Sequence, residues 1–509
     1  MKISFFNIGK QLTLLFLMVF ITIPSFGAVD PDSLNEFTER GMKLWNVPGM
    51  SVAVVKKDKI LFQKGYGTTA IENGQSVDEH TLFAIASTTK AMVVAGILIL
   101  VDEGKLSLDD LIIKHIPELH FEDPSLTQQV TVRDLLAHRT GLPSTDYWPF
   151  LQNTPLDEQL ILLQKVQAFA PVRTRLIYQN TMFEIAGIVI ERLSGLRWDE
   201  FLTKRLWKPI GMFETYSTRS QIGEEHSYVK PHFYFENQVI EARWDIPLNK
   251  SDASGSVWSS IHDMSLWAQF LLSNGVTADS TRLISKKSIE EMFEPHQLSA
   301  TYDFYPTIEL TKPNWRSYGL AWFQQDFQGR KIDYHTGSLS GLTAIIGLDR
   351  ASNIAIIALG NRDHAELRHA LLWEVMDNSI ENSRRDWNYE VFDLYEKRAN
   401  EREKNWEETC KKQIKNTKTS LPMDAYQGKY QSSIIGNIIV EKSDSMLIYK
   451  SELIEFEMSH WHFDTFLFKN LPMQVKDFAT FTIGIDGTVS SFELYGYTYE
   501  RIKDDETDK

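Results

Sequence analysis

The stretch Phe83-Ala-Ile-Ala-Ser87-Thr88-Thr89-Lys90-Ala-Met-Val-Val-Ala-Gly-Ile-Leu-Ile-Leu100 runs from a short apolar segment into an uninterrupted apolar helix, with Ser87 and Lys90 at the junction. Residues three apart share a helix face, so Lys90 lies one turn below Ser87 with its amine near the hydroxyl. A serine hydroxyl is a poor nucleophile until a neighbouring base takes its proton. A lysine in a partly desolvated site can serve as that base. The helix start also aims the positive end of its dipole at the place where negative charge would develop. Ser-x-x-Lys is short enough to recur by chance, and Ser227-Tyr-Val-Lys230 matches it too. Pro231 follows that second copy and turns Lys230 away from the helical region, so it reads as loop. Taken alone, either copy reads more readily as an N-capping serine beside a solvated lysine.

Two further motifs change the weight of Ser87. Tyr178-Gln179-Asn180 stands in a loop just before an apolar helical run from Met182 to Leu193, which Gly195 ends. A tyrosine hydroxyl near an ammonium ionises more easily and can shuttle a proton, and an asparagine beside it can donate to a substrate carbonyl. The plainer alternative is a packed loop tyrosine with Asn180 as N-cap. His335-Thr336-Gly337-Ser338 closes a β-rich run. Glycine there lets a ligand approach the backbone, and a strand edge can hydrogen-bond an extended substrate. His335 and Thr336 can then meet a substrate carboxylate; the alternative is a strand-end turn with an exposed histidine.

Working outward, Ser51 to Gly67 reads as a β-hairpin around Lys57-Asp58. From the Ser87 helix to about Gly275 the pattern is mostly helical. Val132 to His138 stops at Gly141-Leu142-Pro143, and Ser259 to Leu272 stops at Asn274-Gly275. β character returns at Tyr318–Gln325, Lys331–Gly337, Ala344–Asp349 and Asn353–Gly360. The expected fold is α/β (α+β): one antiparallel sheet built from two separated blocks, flanked by helices, with a large helical insertion. Residues 376–420 read as a charged helical linker without chemistry. Residues 421–509 alternate in short runs, with a hairpin signal at Asp486-Gly487, and read as a small β-barrel or sandwich.

The 509 residues suit two or three domains. The formal net charge of -15 argues against a nucleic-acid binder, which would show a basic face. Lys2 and Lys10 precede the apolar stretch Leu12–Ile23, followed by Ser25-Phe26-Gly27, so residues 1–27 read as a cleaved signal peptide and the protein as secreted or periplasmic. Without that segment no stable membrane span is expected. Cys410 is the one cysteine, which leaves no disulfide and no cysteine-based metal site. The stretch His364 to His369 lacks His-Glu-x-x-His spacing and reads as helix surface, so neither metal nor cofactor is expected.

Ser-x-x-Lys, Tyr-x-Asn and His-Thr-Gly, in this order and rough spacing, resemble the serine β-lactamase-related family: class C β-lactamases, penicillin-binding DD-peptidases, D-aminopeptidases and esterases. Val47-Pro48-Gly49, Thr131–Pro143, Trp207–Met212 and Ser254-Gly255 look like its landmarks, so the resemblance covers about residues 35 to 375, within a hydrolase domain expected over 28–375. It implies Ser87 as the acylated nucleophile, with Lys90 and Tyr178 handling protons; which of the two is the base stays open. It also implies Asn180 orienting the substrate amide, and backbone N–H groups of Ser87 and Ser338 as the oxyanion hole. His335, Thr336 and Gly337 would line the substrate's carboxylate side. The lactamases usually carry lysine where His335 stands. A neutral imidazole is a weaker anion partner, so poor β-lactam turnover is expected. The tail, opening with Tyr426-Gln-Gly-Lys-Tyr430, resembles lipocalin-like domains appended to some members. The expected function is a serine hydrolase acting on small peptide, amide or ester substrates, D-amino-acid-containing peptides first and carboxylic esters second. A catalytically silent muropeptide binder is the non-enzymatic alternative. Loops around Tyr147-Trp148 and from Tyr302 to Trp315 would wall the pocket; oligomeric state is not legible.

Overall fold

The computed structural model describes residues 30–145, 156–242, 250–299, 305–378, 385–432, 435–451, 454–470 and 475–502. The expected signal segment, Tyr147, Trp148 and Tyr302 lie outside the described residues. An eight-stranded antiparallel sheet frames the larger part. Its order is Lys59–Gly67, Gly49–Lys56, Ile354–Gly360, Leu342–Asp349, Arg330–Leu339, Phe323–Phe327, Arg316–Tyr318 and Gln297–Leu298. The two separated sequence blocks join where Met50 pairs with Gly360 and Lys56 with Ile354. Both faces are covered, which is why Val52 to Val55 is an unbroken apolar run. Ala53 and Val55 face the helical insertion, while Val52 and Val54 face a second core with helices Pro31–Trp45 and Leu367–Asn378.

The run Tyr318–Gln325 is not one strand. It folds as the paired strands Arg316–Tyr318 and Phe323–Phe327, with Ala321 at φ 64 in the reversal between them. Helix Thr89–Asp102 is buried on every side from Thr89 to Leu100, as its uniform apolar sequence requires. Helix Thr181–Ser194 packs against it and ends at Gly195. Helix Ile261–Leu272 starts on Ser260, whose side chain accepts from Asp263 N–H, and lies on strands Gly49–Lys56 and Ile354–Gly360.

Helix Trp387–Lys411 leaves the larger part with Trp387, Asn388, Val391 and Leu394 buried. Its last turns meet the C-terminal unit, where Trp406 stacks on Phe478 at 5.6 Å. That unit is a closed barrel of eight strands, each hydrogen-bonded to the next in sequence, as in the up-and-down barrels of lipocalins. It closes where Tyr430 pairs with Arg501. The Asp486-Gly487 turn joins strands Val475–Ile483 and Val489–Leu494. Among the described residues no helix is long and apolar enough to cross a membrane.

Candidate active site

Ser87 lies in a 3-10 turn, Ala86–Thr88, between strand Leu82–Ala84 and helix Thr89–Asp102. Of residues 81–90 it alone is not buried. The turn is tight enough to force Ala86 to φ 45, a left-handed conformation that costs a residue with a Cβ about 1–2 kcal/mol. Neighbours hold it there: Ile85 N–H donates to Val257 O at 2.9 Å, and Thr88 Oγ1 donates to Ile85 O at 2.8 Å. Ser87 does not cap the helix with its side chain; its hydroxyl faces Lys90.

Lys90 is fully buried, and its Nζ lies 2.6 Å from Asn180 Oδ1, 2.7 Å from Ser254 O and 3.1 Å from Ser87 Oγ. The first two can only accept, so they take two Nζ protons. A third direction faces Ser87. An ammonium donates there; an amine presents its lone pair and can take the hydroxyl proton. Asn180 occupies the N-cap position of helix Thr181–Ser194 yet makes no capping bond with its side chain, which is committed to Lys90.

Tyr178 places its ring 5.0 Å from Lys90 Nζ, in cation–π range. The ring centroids of His138 and His335 lie 4.3 Å and 6.0 Å from that of Tyr178. His335 is buried in the middle of strand Arg330–Leu339 rather than exposed at its end. Its Nδ1 contacts Thr336 O at 2.6 Å, which fixes the proton on Nδ1, and Nε2 accepts from Tyr318 OH at 3.2 Å. Burial first, and Lys90 second, push His335 down to about 3, so the ring is neutral. The same two causes hold His138 well below the ordinary histidine range.

Gly337 lies against the Ser87 turn, where a Cβ would meet Ile85 O at 2.2 Å and Ala86 Cβ at 3.0 Å. Ser338 is exposed, and its Oγ accepts from Arg368 Nη1 at 2.8 Å. Thr336 turns aside to Tyr305, with 2.9 Å between the hydroxyl oxygens. Ser87, Lys90 and Asn180 are thus joined directly by hydrogen bonds, Tyr178 and His335 through rings, and Gly337 through backbone contact.

The Beta-lactamase family model matches residues 34–378. This chain belongs to that family. The serine β-lactamase family is one of hydrolases, and the fold described above is the β-lactamase/transpeptidase-like one. A second model, "Domain of unknown function (DUF3471)", matches residues 412–507, the barrel. Unguisins hydrolase ungD' of Aspergillus campestris is 28% identical over 440 residues, spanning 81% of this chain and 78% of that protein. Protein flp of Staphylococcus aureus is 23% identical over 335 residues, spanning 64% of this chain and 62% of that protein. Among solved structures, the octameric penicillin-binding protein homologue from Pyrococcus abyssi aligns with TM-score 0.61 at 21% identity, covering 92% of this chain and 99% of that one. SurE with D-Leu aligns with TM-score 0.53 at 17% identity, covering 93% and 99%.

Several groups in this family member's site carry no sequence signal. Ser254 contributes a carbonyl, which any residue type would supply; Ser254-Gly255 marked the segment as a landmark without giving Ser254 this role. Arg368 falls inside the stretch expected as helix surface, but it is buried, donating to Gly337 O at 2.5 Å and to Glu366 Oε2 at 3.0 Å. His369 is buried as well, with Nδ1 2.7 Å from Glu366 Oε2. The surface expectation fails because the Glu366 and Arg368 charges pair with each other behind the strand, and the His369 ring, held below the ordinary histidine range by burial, contacts the same carboxylate.

Proposed function

We propose that this protein is a secreted serine hydrolase that forms an acyl-enzyme on Ser87 from small peptide, amide or ester substrates. The observation that carries this reading is the position of Lys90 Nζ, held by two pure acceptors with its third direction on Ser87 Oγ. Lys90 or Tyr178 takes the Ser87 proton as Oγ attacks the carbonyl. The backbone N–H groups of Ser87 and Ser338 hold the resulting oxyanion, and Asn180 holds the substrate amide. The leaving amine or alcohol departs with the proton, and water then releases the acyl group. Peptides containing D-residues are the favoured substrates. The fungal relative is named for hydrolysis of unguisins, and a SurE structure was solved with D-Leu. Carboxylic esters come second. The neutral His335 offers no fixed cation to a β-lactam carboxylate, so β-lactam turnover is slow.

A fluorescent fluorophosphonate or penicillin should label the wild-type protein covalently, and Ser87→Ala should abolish the label. Persistent labelling of Ser87→Ala would remove Ser87 from its role. A panel of D-alanyl amides, dipeptides and p-nitrophenyl esters ranks the substrates, and rapid nitrocefin hydrolysis would overturn the argument from His335. A wild-type protein that takes no label and turns over no ester would be a binding protein instead.

A further inference from the structure

Beneath the Ser254 carbonyl sits a pair of carboxyl groups that the chemistry above does not use. Glu184 stands in the first turn of helix Thr181–Ser194, four residues after Asn180, and Asp252 stands two residues before Ser254. Both are half-buried, and their side chains hydrogen-bond each other. Glu184 Oε1 accepts Ser254 N–H at 2.9 Å, and its Oε2 accepts Ala253 N–H at 3.3 Å. Asp252 Oδ1 accepts Ser254 N–H at 2.8 Å and Ser254 Oγ–H at 2.6 Å. The turn closes on itself where Asp252 N–H donates to Ser256 Oγ at 2.8 Å.

Two touching carboxyls share one proton, because both cannot ionise. Burial, then the Asp252 charge, pushes Glu184 well above the ordinary range. Burial alone would raise Asp252 too, but the hydrogen bond from Glu184, with Lys250 nearby, outweighs it and holds Asp252 low. Glu184 therefore keeps the proton and donates it to Asp252. The first turn of one helix thus sets both acceptors of Lys90: Asn180 contacts Nζ directly, and Glu184 fixes the peptide that carries the Ser254 carbonyl.

We propose that Glu184 and Asp252 are positioning residues for Lys90, clamping the 252–256 turn so that the Ser254 carbonyl takes one Nζ proton and a third direction stays on Ser87. This deepens the reaction proposed above and rests on it. The test is steady-state turnover of a p-nitrophenyl ester, with fluorophosphonate labelling of wild type run in parallel. Glu184→Leu should lower kcat by roughly 30-fold while KM stays within about twofold, the signature of a displaced reacting group. Glu184→Gln still accepts from Ser254 N–H and donates to Asp252, so it should return to within about threefold of wild type. Should Glu184→Leu fail to fold, Asp252→Ala, at a half-buried loop position, should show the same loss confined to kcat. Wild-type kcat in Glu184→Leu or Asp252→Ala would overturn the proposal, as would a raised KM at unchanged kcat, which would put the pair on the substrate. Absence of wild-type labelling would instead remove the Ser87 reaction itself.

Discussion

The open sheet between Gly49 and Gly360 and the closed barrel between Gly428 and Arg501 have eight strands each and use them in opposite ways. The open sheet needs helices on both faces, and its strand Arg330–Leu339 meets the helical insertion at the Ser87 turn. Buried polar groups collect at that joint: Lys90, His335 and Arg368 all have specific partners there. The barrel fills its own centre. Phe456 lies on Tyr449 with centroids 4.4 Å apart and on Phe468 at 3.8 Å, and Phe492 stacks on Tyr499 at 4.6 Å. Eight closed strands leave room for side chains and little else, and aromatic rings take it. The Ser87 turn lies where layers from distant parts of the chain abut, and the strained Ala86 is held there from several sides.

The contrast is sharpest at glycines. In the barrel turn, a Cβ added to Gly487 meets nothing within 4 Å, and only its φ of 77 resists a side chain. At Gly337 the added Cβ runs into Ile85 O at 2.2 Å, so the strand and the Ser87 turn must separate. Gly337→Ala should slow acylation of Ser87 by roughly 100-fold, the cost of about an ångström of misplacement, without moving the melting of the barrel. Fluorophosphonate labelling rates together with calorimetry check this. Wild-type labelling would mean that the joint between sheet and insertion is not what aligns the site.

The sequence carried the alignment residues unevenly. Ser87, Lys90, Tyr178 and Asn180 were legible because each needs a particular side chain at a particular helix or loop position. The two-block sheet was legible because its central strands Gly49–Lys56, Leu342–Asp349 and Ile354–Gly360 are buried on both faces and so are apolar without alternation. The split of Tyr318–Gln325 was not, since a turn at Ala321 with φ 64 uses a residue without turn chemistry. The role of Ser254 was not, since it acts through its backbone, although Ser254-Gly255 stood out as a landmark. Glu184 was not, since a carboxyl in a first helical turn ordinarily reads as a favourable dipole contact, and Asp252 was not, since a loop carboxyl ordinarily reads as solvated. Arg368 and His369 were read as surface because the stretch lacks His-Glu-x-x-His spacing; their pairing with Glu366 is local, but the burial around it is tertiary and spacing alone does not announce it.

Protonation separates the two regions next. Free histidine titrates near 6.5, whereas His335 is held down to about 3 by burial and then by Lys90. The unfolded chain therefore binds the extra proton first. The contribution of His335 to stability is fully present above pH 6.5 and is lost as pH falls toward 3, with a slope of about 1.4 kcal/mol per pH unit. His335→Gln should flatten the pH dependence of the hydrolase-domain urea transition by about that slope between pH 6 and 4, and leave the barrel transition as it was. Parallel curves for variant and wild type would show that the ring is not kept neutral by the fold, and the electrostatic side of the contrast would fall.

The smallest expected effect lies where the two regions meet. Helix Trp387–Lys411 has 25 residues, about 1.5 Å of rise each, so it is a stiff arm roughly 37 Å long. One end is rooted in the hydrolase core through Trp387 and Val391. The other touches the barrel through Trp406 on Phe478 and through Lys476 Nζ, 3.0 Å from Glu403 Oε2. The ion pair is exposed and adds little, so the stacked ring is the larger share of that contact. Trp406→Ala should lower the stability of the barrel by about 1 kcal/mol and leave Ser87 labelling at the wild-type rate. If labelling slowed together with barrel melting, the arm would be passing the barrel's state to the site. The barrel would then belong to the catalytic apparatus, and the division between a reactive open sheet and a self-filled closed one would no longer hold.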